Sequence, residues 1–130
     1  MILVDTSAWI DFFRGRRRMA ARVDQLLETD EATLCGPVVT ELRRGLRSRA
    51  ERDRVLPLLS GCHMLDQPVR LWEEAGEIGW YLGRRGAAVK SRDLLIAAYA
   101  LAHDVPILTA DRDFALMRRV GLGLVLLDVE

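Results

Sequence analysis

The chain has 130 residues, half of them hydrophobic, and its 19 basic residues balance 19 acidic ones. This length suits one domain with its own core, which we assign to residues 1–130. The even charge argues against a strongly basic, general nucleic-acid binder. Two cysteines without CxxC spacing indicate reduced thiols, and the short apolar runs argue against a membrane span. We therefore expect a cytoplasmic protein with no membrane partner.

The first predicted strand ends at an acidic residue. Residues 1–4 are apolar, and Asp5 follows them directly. The pattern then predicts a turn at Thr6 and Ser7 and a helix over 8–13. Either hydroxyl is a candidate N-cap of that helix, or a support for a ligand bound at its N-terminus. The arginine-rich stretch 14–18 predicts a solvated loop, and a second helix is predicted over 20–27.

The second predicted strand, over 32–35, is followed by a helix that carries another acid. Pro37 suits the first turn of this helix. Glu41 and Gly45 lie one turn apart on one edge of it. A glycine inside a helix costs about 1 kcal/mol relative to alanine, so Gly45 indicates close packing beside Glu41.

The middle of the chain predicts two helices with a strand between them. The first helix covers 48–59, the strand covers 62–65, and the longest helix covers 69–85. This longest helix contains Trp72 and Trp80 two turns apart, together with three glycines. Because glycine weakens a helix, we expect a neighbouring backbone or helix to approach closely there.

The next helix is almost entirely apolar and is followed by a short strand. Residues 94–102 show no polar face, which predicts a helix buried on all sides. Ser91 is its predicted N-cap, and Asp93 lies on its first turn. A strand over 105–108 follows, and Asp111 stands just beyond its end.

A helix through residue 119 and a strand over 124–127 complete the alternation of strands and helices. Short apolar strands separated by helices predict a three-layer α/β domain with a parallel central sheet. Ligands of such sheets bind at the carboxyl ends of the strands, where the strand order reverses.

Four acids can meet at that edge of the sheet. They are Asp5, Glu41, Asp93 and Asp111. Carboxylates in a partly desolvated cleft repel one another, so some must be protonated or a hard cation must neutralise them. Oxygen ligands favour Mg²⁺ or Mn²⁺ over zinc. Asp113 is close enough in sequence to assist Asp111.

Each acid also has a purely structural explanation. Asp93 would interact with the helix dipole, Asp111 would cap the following helix, and Glu41 would be a solvated helix residue. Asp5 is hardest to explain this way, because it follows an apolar strand directly. His63 and His103 are better explained as packing or helix-end residues than as catalysts.

Three segments, in this order, resemble the PIN-domain ribonucleases of the VapC type, toxins of bacterial toxin–antitoxin pairs. The segments are ILVDTSAWIDFF at the start, TELRRG on the third helix, and SRDLLIAAYALAHDVPILTADRDF. The resemblance covers essentially the whole chain. It includes the hydroxyl pair Thr6-Ser7, the residue Phe114 and all four acids.

The resemblance implies a five-stranded parallel sheet in the order 3-2-1-4-5. It also implies that the four acids form a metal-dependent nuclease site. In that mechanism Asp5 and Asp93 bind Mg²⁺, with Mn²⁺ as a possible substitute. Asp111 and Glu41 hold a second ion or the attacking water, and in-line displacement cleaves the phosphodiester.

The family further implies RNA as the substrate and a VapB-like antitoxin as an inhibitory partner. It also implies a homodimer, and we expect no direct DNA binding by this chain. Arginines at 14–18, 84, 85 and 92 are candidates for holding the RNA backbone. Trp9, Ile10, Phe12 and Phe13 occupy more than one face of the first helix, which predicts an exposed aromatic patch at an interface.

Two other functions remain open from the sequence. One is a phosphatase-like α/β enzyme in which Asp5 becomes a covalent phospho-acceptor. The usual pattern of such enzymes has a second acid two residues later, where this chain has Ser7. The other is a catalytically silent PIN-like module that binds RNA or protein.

Overall fold

The computed structural model describes residues 1–129, and they fold as a parallel sheet flanked by helices. Within these residues the sheet has four strands: β1 (Ile2–Val4), β2 (Ala32–Leu34), β3 (His63–Met64) and β4 (Ile107–Leu108). Over the same residues there are seven helices: α1 (Thr6–Phe13), α2 (Arg17–Glu28), α3 (Gly36–Arg44), α4 (Arg49–Ser60), α5 (Leu71–Gly83), α6 (Ser91–His103) and α7 (Arg112–Val120). In this part of the chain no helix combines the length and the apolar character that crossing a membrane requires.

The strand order is β3-β2-β1-β4, and every pairing is parallel. Leu3 in the middle of β1 pairs with Thr33 on one side and with Ile107 on the other. All residues of β1, β2 and β4 are buried, as expected for strands covered by helices on both faces. The predicted parallel α/β architecture is therefore confirmed.

The predicted fifth strand is reduced to one bridge. Leu126 pairs in parallel with Ile107, whose backbone N–H donates to Val125 O at 2.9 Å. The backbone N–H of Leu127 donates to Ile107 O at 2.8 Å. This segment lies beside β4, where the order 3-2-1-4-5 puts it, but β4 has only two residues to pair with it. The described sheet consequently has four strands, and a five-stranded sheet is not confirmed.

Several helix starts and ends differ from the sequence prediction. Helix α1 begins at Thr6 with Asp5 in the N-cap position, so neither Thr6 nor Ser7 caps it. Helix α6 has Lys90 at its N-cap, which places Ser91 inside the helix. Gly45 is the C-cap of α3 rather than an interior residue. Sequence patterns locate helix ends only to within a few residues, because several adjacent residues satisfy the same capping preferences.

The predicted loop over 14–18 is shorter than expected, because 14–16 are not helical but Arg17 and Arg18 already belong to a helix. Gly15 has a φ of 69°, which glycine adopts without strain, and it separates α1 from α2. Arg17 then begins α2, with no acidic residue in the first turn of that helix. Basic residues at a helix N-terminus oppose the helix dipole, so the sequence pattern disfavoured a start there.

The predicted aromatic patch on α1 is largely covered, and of its four residues Ile10 is the exposed one, at 36%. Trp9 is fully buried, and Phe12 and Phe13 are partly buried against the core. The Trp9 and Phe13 rings stack with their centroids 5.9 Å apart. The large exposed aromatic residues are instead Trp72 and Trp80 on α5.

Helix α6 is buried through its middle but not at its end. Residues 96–100 are buried, whereas Leu101 is 37% exposed and Ala102 is also exposed. Helix α5 packs on α6 closely at Gly79, where an added Cβ would lie 2.8 Å from Leu94 Cδ1. The expected close approach is therefore confirmed at this glycine. Gly76 and Gly83 have nothing within 4 Å of such a Cβ, so the expectation was wrong there.

The turn after α7 provides a test of the fold. Gly121 has a φ of 121°, and an added Cβ would lie 2.6 Å from the Tyr81 hydroxyl of α5. Gly121→Ala should destabilise the protein by roughly 1–3 kcal/mol through backbone strain and this clash. Gly123→Ala is the matched control, because nothing lies within 4 Å of its added Cβ. Urea unfolding measures both, and equal midpoints for the two variants would contradict this account.

Candidate active site

The carboxyl ends of β1 and β4 meet at one edge of the sheet. The backbone N–H of Asp5 donates to Leu108 O at 2.9 Å, which continues the pairing of the two strands. Asp5 is the first residue after β1, and Thr109 is the first after β4. The adjacency required by the predicted acid cluster is thus present.

Two hydroxyl groups hold the Asp5 carboxylate. The Ser7 hydroxyl donates to Asp5 Oδ2 at 2.7 Å, and the Thr109 hydroxyl donates to the same oxygen at 2.8 Å. The backbone N–H of Ala110 in turn donates to Ser7 Oγ at 2.9 Å, and that of Asp111 donates to Thr109 Oγ1 at 2.9 Å. The side chain of Asp5, 3% exposed, is therefore fixed in position by the loop after β4.

Three other carboxylates form a compact group next to this edge. Asp93 lies on the first turn of α6, Asp111 is the N-cap of α7, and Asp113 lies on the first turn of α7. One oxygen from each lies within 4.8 Å of the other two. Asp111 Oδ1 also accepts a hydrogen bond from the backbone N–H of Asp113 at 2.9 Å. Asp111 consequently both caps α7 and belongs to the acid group.

Glu41 joins the site through an arginine. Arg92 Nη1 lies 3.2 Å from Glu41 Oε1, and Arg92 Nε lies 3.3 Å from Asp93 Oδ1. The guanidinium thus bridges α3 and α6. Glu41 also lies 3.9 Å from Arg44 Nη1, which is a weaker contact on the exposed side of α3.

One buried oxygen in this group lacks a partner. Asp93 is only 1% exposed, and among the described residues its Oδ2 atom is buried without a hydrogen-bond partner. A buried carboxylate oxygen without a donor is costly unless a cation or a proton compensates it. The donor set of Asp93, Asp111 and Asp113 is all oxygen, which suits Mg²⁺ or Mn²⁺. These residues therefore fit a hard divalent cation.

The PIN domain family model matches residues 2–120. The chain belongs to the PIN domain family. The ribonucleases VapC11 and VapC5 of Mycobacterium tuberculosis are two of its relatives. VapC11 is 33% identical over 126 residues, which cover 92% of this chain and 93% of the relative. VapC5 is 31% identical over 122 residues, which cover 87% and 84% of the two chains.

Solved structures resemble this PIN domain along nearly its whole length. A chain in the crystal structure of FitAcB from Neisseria gonorrhoeae has a TM-score of 0.72 and 25% identity, and the match covers 99% of this chain and 98% of that one. A DNA-bound VapBC complex of Salmonella typhimurium has a chain with a TM-score of 0.78 and 21% identity, with the same coverage. Because its sequence identity is low, the likeness to the Salmonella typhimurium chain shows a shared fold only.

The electrostatics of the PIN domain site centre on Asp93. The pKa of this carboxyl group is raised to about 6, chiefly by burial and to a smaller extent by the nearby Asp111 and Asp5, while Arg92 acts in the opposite direction. Desolvation outweighs the arginine because Asp93 is enclosed at the start of α6. The ionised form of Asp93 is therefore the destabilised form in the metal-free protein.

Several of the candidate RNA-binding arginines interact with other side chains of the protein. Arg92 bridges the two acids described above, and the Arg85 guanidinium carbon lies 3.6 Å from the Tyr81 ring centroid. The corresponding distance from Arg84 to Trp80 is 5.8 Å. Arg16 forms an ion pair with Asp11 at 3.4 Å. The structure thus places Arg92 inside the acid site rather than on an open surface.

The hydrogen-bond partners of both histidines lie outside the acid group. His63 Nε2 lies 3.0 Å from Asp30 O, and His103 Nε2 lies 2.7 Å from Asp66 O. Both cysteines are free thiols. Burial raises the pKa of the Cys35 thiol to about 12, so this side chain stays protonated at neutral pH.

Sequence reasoning missed two parts of this site. It did not include Thr109, although this hydroxyl lies between a predicted strand and Asp111 and so carried a usable signal. It assigned Arg92 to RNA rather than to Glu41 and Asp93, because the contact between α3 and α6 has no local sequence signal. Thr6, predicted as a supporting residue, has a buried hydroxyl without a partner among the described residues.

The raised pKa of Asp93 leads to a prediction for the metal-free protein. Because the pKa of Asp93 is raised in the folded state, the free energy of unfolding of the protein falls as the pH rises from the ordinary pKa of an aspartate to about 6. Asp93→Asn removes this charge while it keeps the oxygen that accepts from Arg92. The difference in free energy of unfolding between the Asp93→Asn variant and the wild type should therefore shift in favour of the variant by roughly 1–3 kcal/mol between pH 4 and pH 7.

Chemical unfolding in EDTA across this pH range measures that difference. Asp53→Asn, which removes an exposed acid of α4, is the control and should show no such increase. A pH-independent difference between Asp93→Asn and wild type would show that Asp93 is not destabilised when ionised.

Proposed function

We propose that this PIN domain is a metal-dependent endoribonuclease that acts as the toxin of a toxin–antitoxin pair. The observation that carries this proposal is the group formed by Asp93, Asp111 and Asp113, with a buried Asp93 oxygen that lacks a hydrogen-bond donor. Its position at the carboxyl ends of adjacent parallel strands is where α/β folds bind ligands. The relatives named above are ribonucleases, which supports RNA as the substrate class.

We assign the metal ligands to Asp5, Asp93 and Asp111, with Glu41 as a further ligand or a contact to the attacking water. Asp113 supports Asp111, and its oxygen also lies within the acid group. Magnesium is the proposed ion, with manganese as a substitute, because every donor is a carboxylate oxygen. A bound divalent ion would activate water and stabilise the leaving oxygen of the phosphodiester.

The protein's own residues would hold these ligands in place. Ser7 and Thr109 restrict the orientation of Asp5 by donating to one of its oxygens, which leaves the other oxygen for a cation. Arg92 positions Glu41 relative to Asp93 and offsets part of the negative charge before a metal binds. Such fixed geometry favours catalysis because little reorganisation remains at the reaction step.

The proposed protein partner is a VapB-like antitoxin. Solved complexes with similar chains include VapBC and FitAcB pairs. A cationic side chain of the antitoxin entering the acid group would compete with the metal for the same carboxylates. The DNA in such structures is bound to two-protein complexes, and we still expect no DNA binding by this chain alone.

A homodimer also remains a prediction. The apolar face of α1 that first suggested it is smaller than predicted, since Trp9 is fully buried. Two exposed apolar residues, Ile10 of α1 at 36% and Trp80 of α5 at 65%, remain candidates for such an interface.

Cleavage assays test the nuclease proposal directly. The protein should cut single-stranded RNA in Mg²⁺ or Mn²⁺ and stop in EDTA. Asp5→Asn and Asp93→Asn should each lower the rate by at least about a hundredfold, because each removes a charged metal ligand. Asp53→Asn should cleave at the wild-type rate.

A second measurement separates metal binding from catalysis. Magnesium at millimolar concentration should raise the melting temperature of the wild-type protein, since the ion binds only the native state. The Asp93→Asn variant should lose most of this shift. Near wild-type cleavage by both Asp→Asn variants, or cleavage that persists in EDTA, would refute the assigned site.

The antitoxin proposal predicts inhibition that depends on metal concentration. A small protein encoded beside this chain should bind it and abolish RNA cleavage. If a cationic side chain competes with the metal, raising Mg²⁺ should increase the antitoxin concentration needed for half-inhibition. Titration of the antitoxin at several Mg²⁺ concentrations measures this, and full activity with excess antitoxin would refute the partnership.

A further inference from the structure

Two tryptophans of α5 are exposed to a similar degree, but only one lies beside the acid site. Trp72 is 63% exposed and Trp80 is 65% exposed. Trp80 is accompanied by Arg84, whose guanidinium lies 5.8 Å from the ring centroid. Trp72 instead borders a pocket between α3, α5 and α6. The two rings therefore have comparable exposure and different surroundings.

The pocket beside Trp72 has a volume of about 430 Å³. Tyr99 of α6 and Leu71 of α5 contribute apolar wall, and Tyr99 is itself 4% exposed and held in place. Thr40 and Gln67 add side chains that donate and accept hydrogen bonds. An apolar pocket with a few polar groups is the usual form of a small-molecule or base site.

This pocket is continuous with the acid site. Glu41 and Arg92 line it, and the same two residues form the ion pair that connects α3 to Asp93. A group bound in the pocket would therefore lie next to the residues proposed to hold the metal. A substrate strand that crosses the acids can reach the pocket without leaving the site.

We propose that this pocket binds one unpaired nucleobase of the RNA substrate, stacked on Trp72. This proposal rests on the ribonuclease function proposed above. An exposed indole presents a flat π-face, which stacks on any base, and Thr40 and Gln67 can bond to the polar edge of that base. The base must be unpaired, because a base within a helix has no free face for stacking. Trp72 is thus a substrate-binding residue beside the proposed acid site, and it selects unpaired RNA rather than a particular base.

Trp80 distinguishes this proposal from a general protein interface on α5. An interface that covers the exposed face of α5 would bury both tryptophans, and substitution of either would weaken it. A base in the pocket contacts Trp72 alone, because Trp80 does not line the pocket. Separate substitution of Trp72 and of Trp80 therefore distinguishes a bound base from a protein interface.

The test measures binding of a short, labelled, single-stranded RNA to the full-length Asp5→Asn protein, so that cleavage does not interfere. Trp72→Ala should weaken binding about tenfold, which is the effect of losing one base–aromatic stack. Trp72→Phe should largely restore the affinity because it keeps an aromatic face. Trp80→Ala should bind as tightly as the parent.

An abasic scan of the same RNA identifies the bound base. Removing the base that occupies the pocket should lower the RNA affinity of the parent about tenfold. The same removal should not lower the affinity of the Trp72→Ala variant any further. Equal weakening by Trp72→Ala and Trp80→Ala, or additive abasic effects at every position, would overturn the pocket. So would an absence of RNA binding by the parent.

Two further measurements complete the test. Sedimentation of the same variants shows whether either tryptophan joins two copies of the chain, and loss of a dimer in Trp72→Ala in step with the lost affinity would overturn the base site. Intact, Trp72-dependent RNA binding without metal-dependent cleavage by the wild type would refute the nuclease function alone. The two proposals can therefore fail independently.

Discussion

The parallel pairing of β1 with β4 is the constraint on which the rest of the site depends. It places Asp5 and Thr109 at one edge of the sheet, and the loop after Thr109 then brings Asp111 and Asp113 towards the first turn of α6. Residues more than a hundred positions apart thereby form one site. Without this pairing Asp5 would be an isolated acid at the end of a strand.

The cost of this arrangement is negative charge in a poorly solvated place. Arg92 is the basic residue of α6 in direct contact with the acids, and it is shared between Glu41 and Asp93. Burial still raises the pKa of Asp93 to about 6, so one arginine does not offset the desolvation. The ion pairs within the site therefore leave negative charge uncompensated, which supports the proposed divalent cation as counter-charge.

The same helices that build the acid site also build its neighbouring pocket. Helix α3 supplies Glu41 to the acid site and Thr40 to the pocket. Helix α6 supplies Asp93 to the acid site and Tyr99 to the pocket. Helix α5 packs on α6 at Gly79 and leaves Trp72 exposed at the pocket rim. A substrate contact at Trp72 would consequently be coupled by rigid helix packing to the position of the acids.

The amino-acid sequence by itself determined the strand and helix alternation and the acids that end the strands, because burial periodicity and polar residues at strand ends are local properties. It also carried the family resemblance. Only the tertiary structure decided that Trp9 is buried while Trp72 is exposed, and that Arg92 bridges Glu41 to Asp93. The reason is that helix-face orientation and contacts between distant helices depend on packing, which no local pattern specifies.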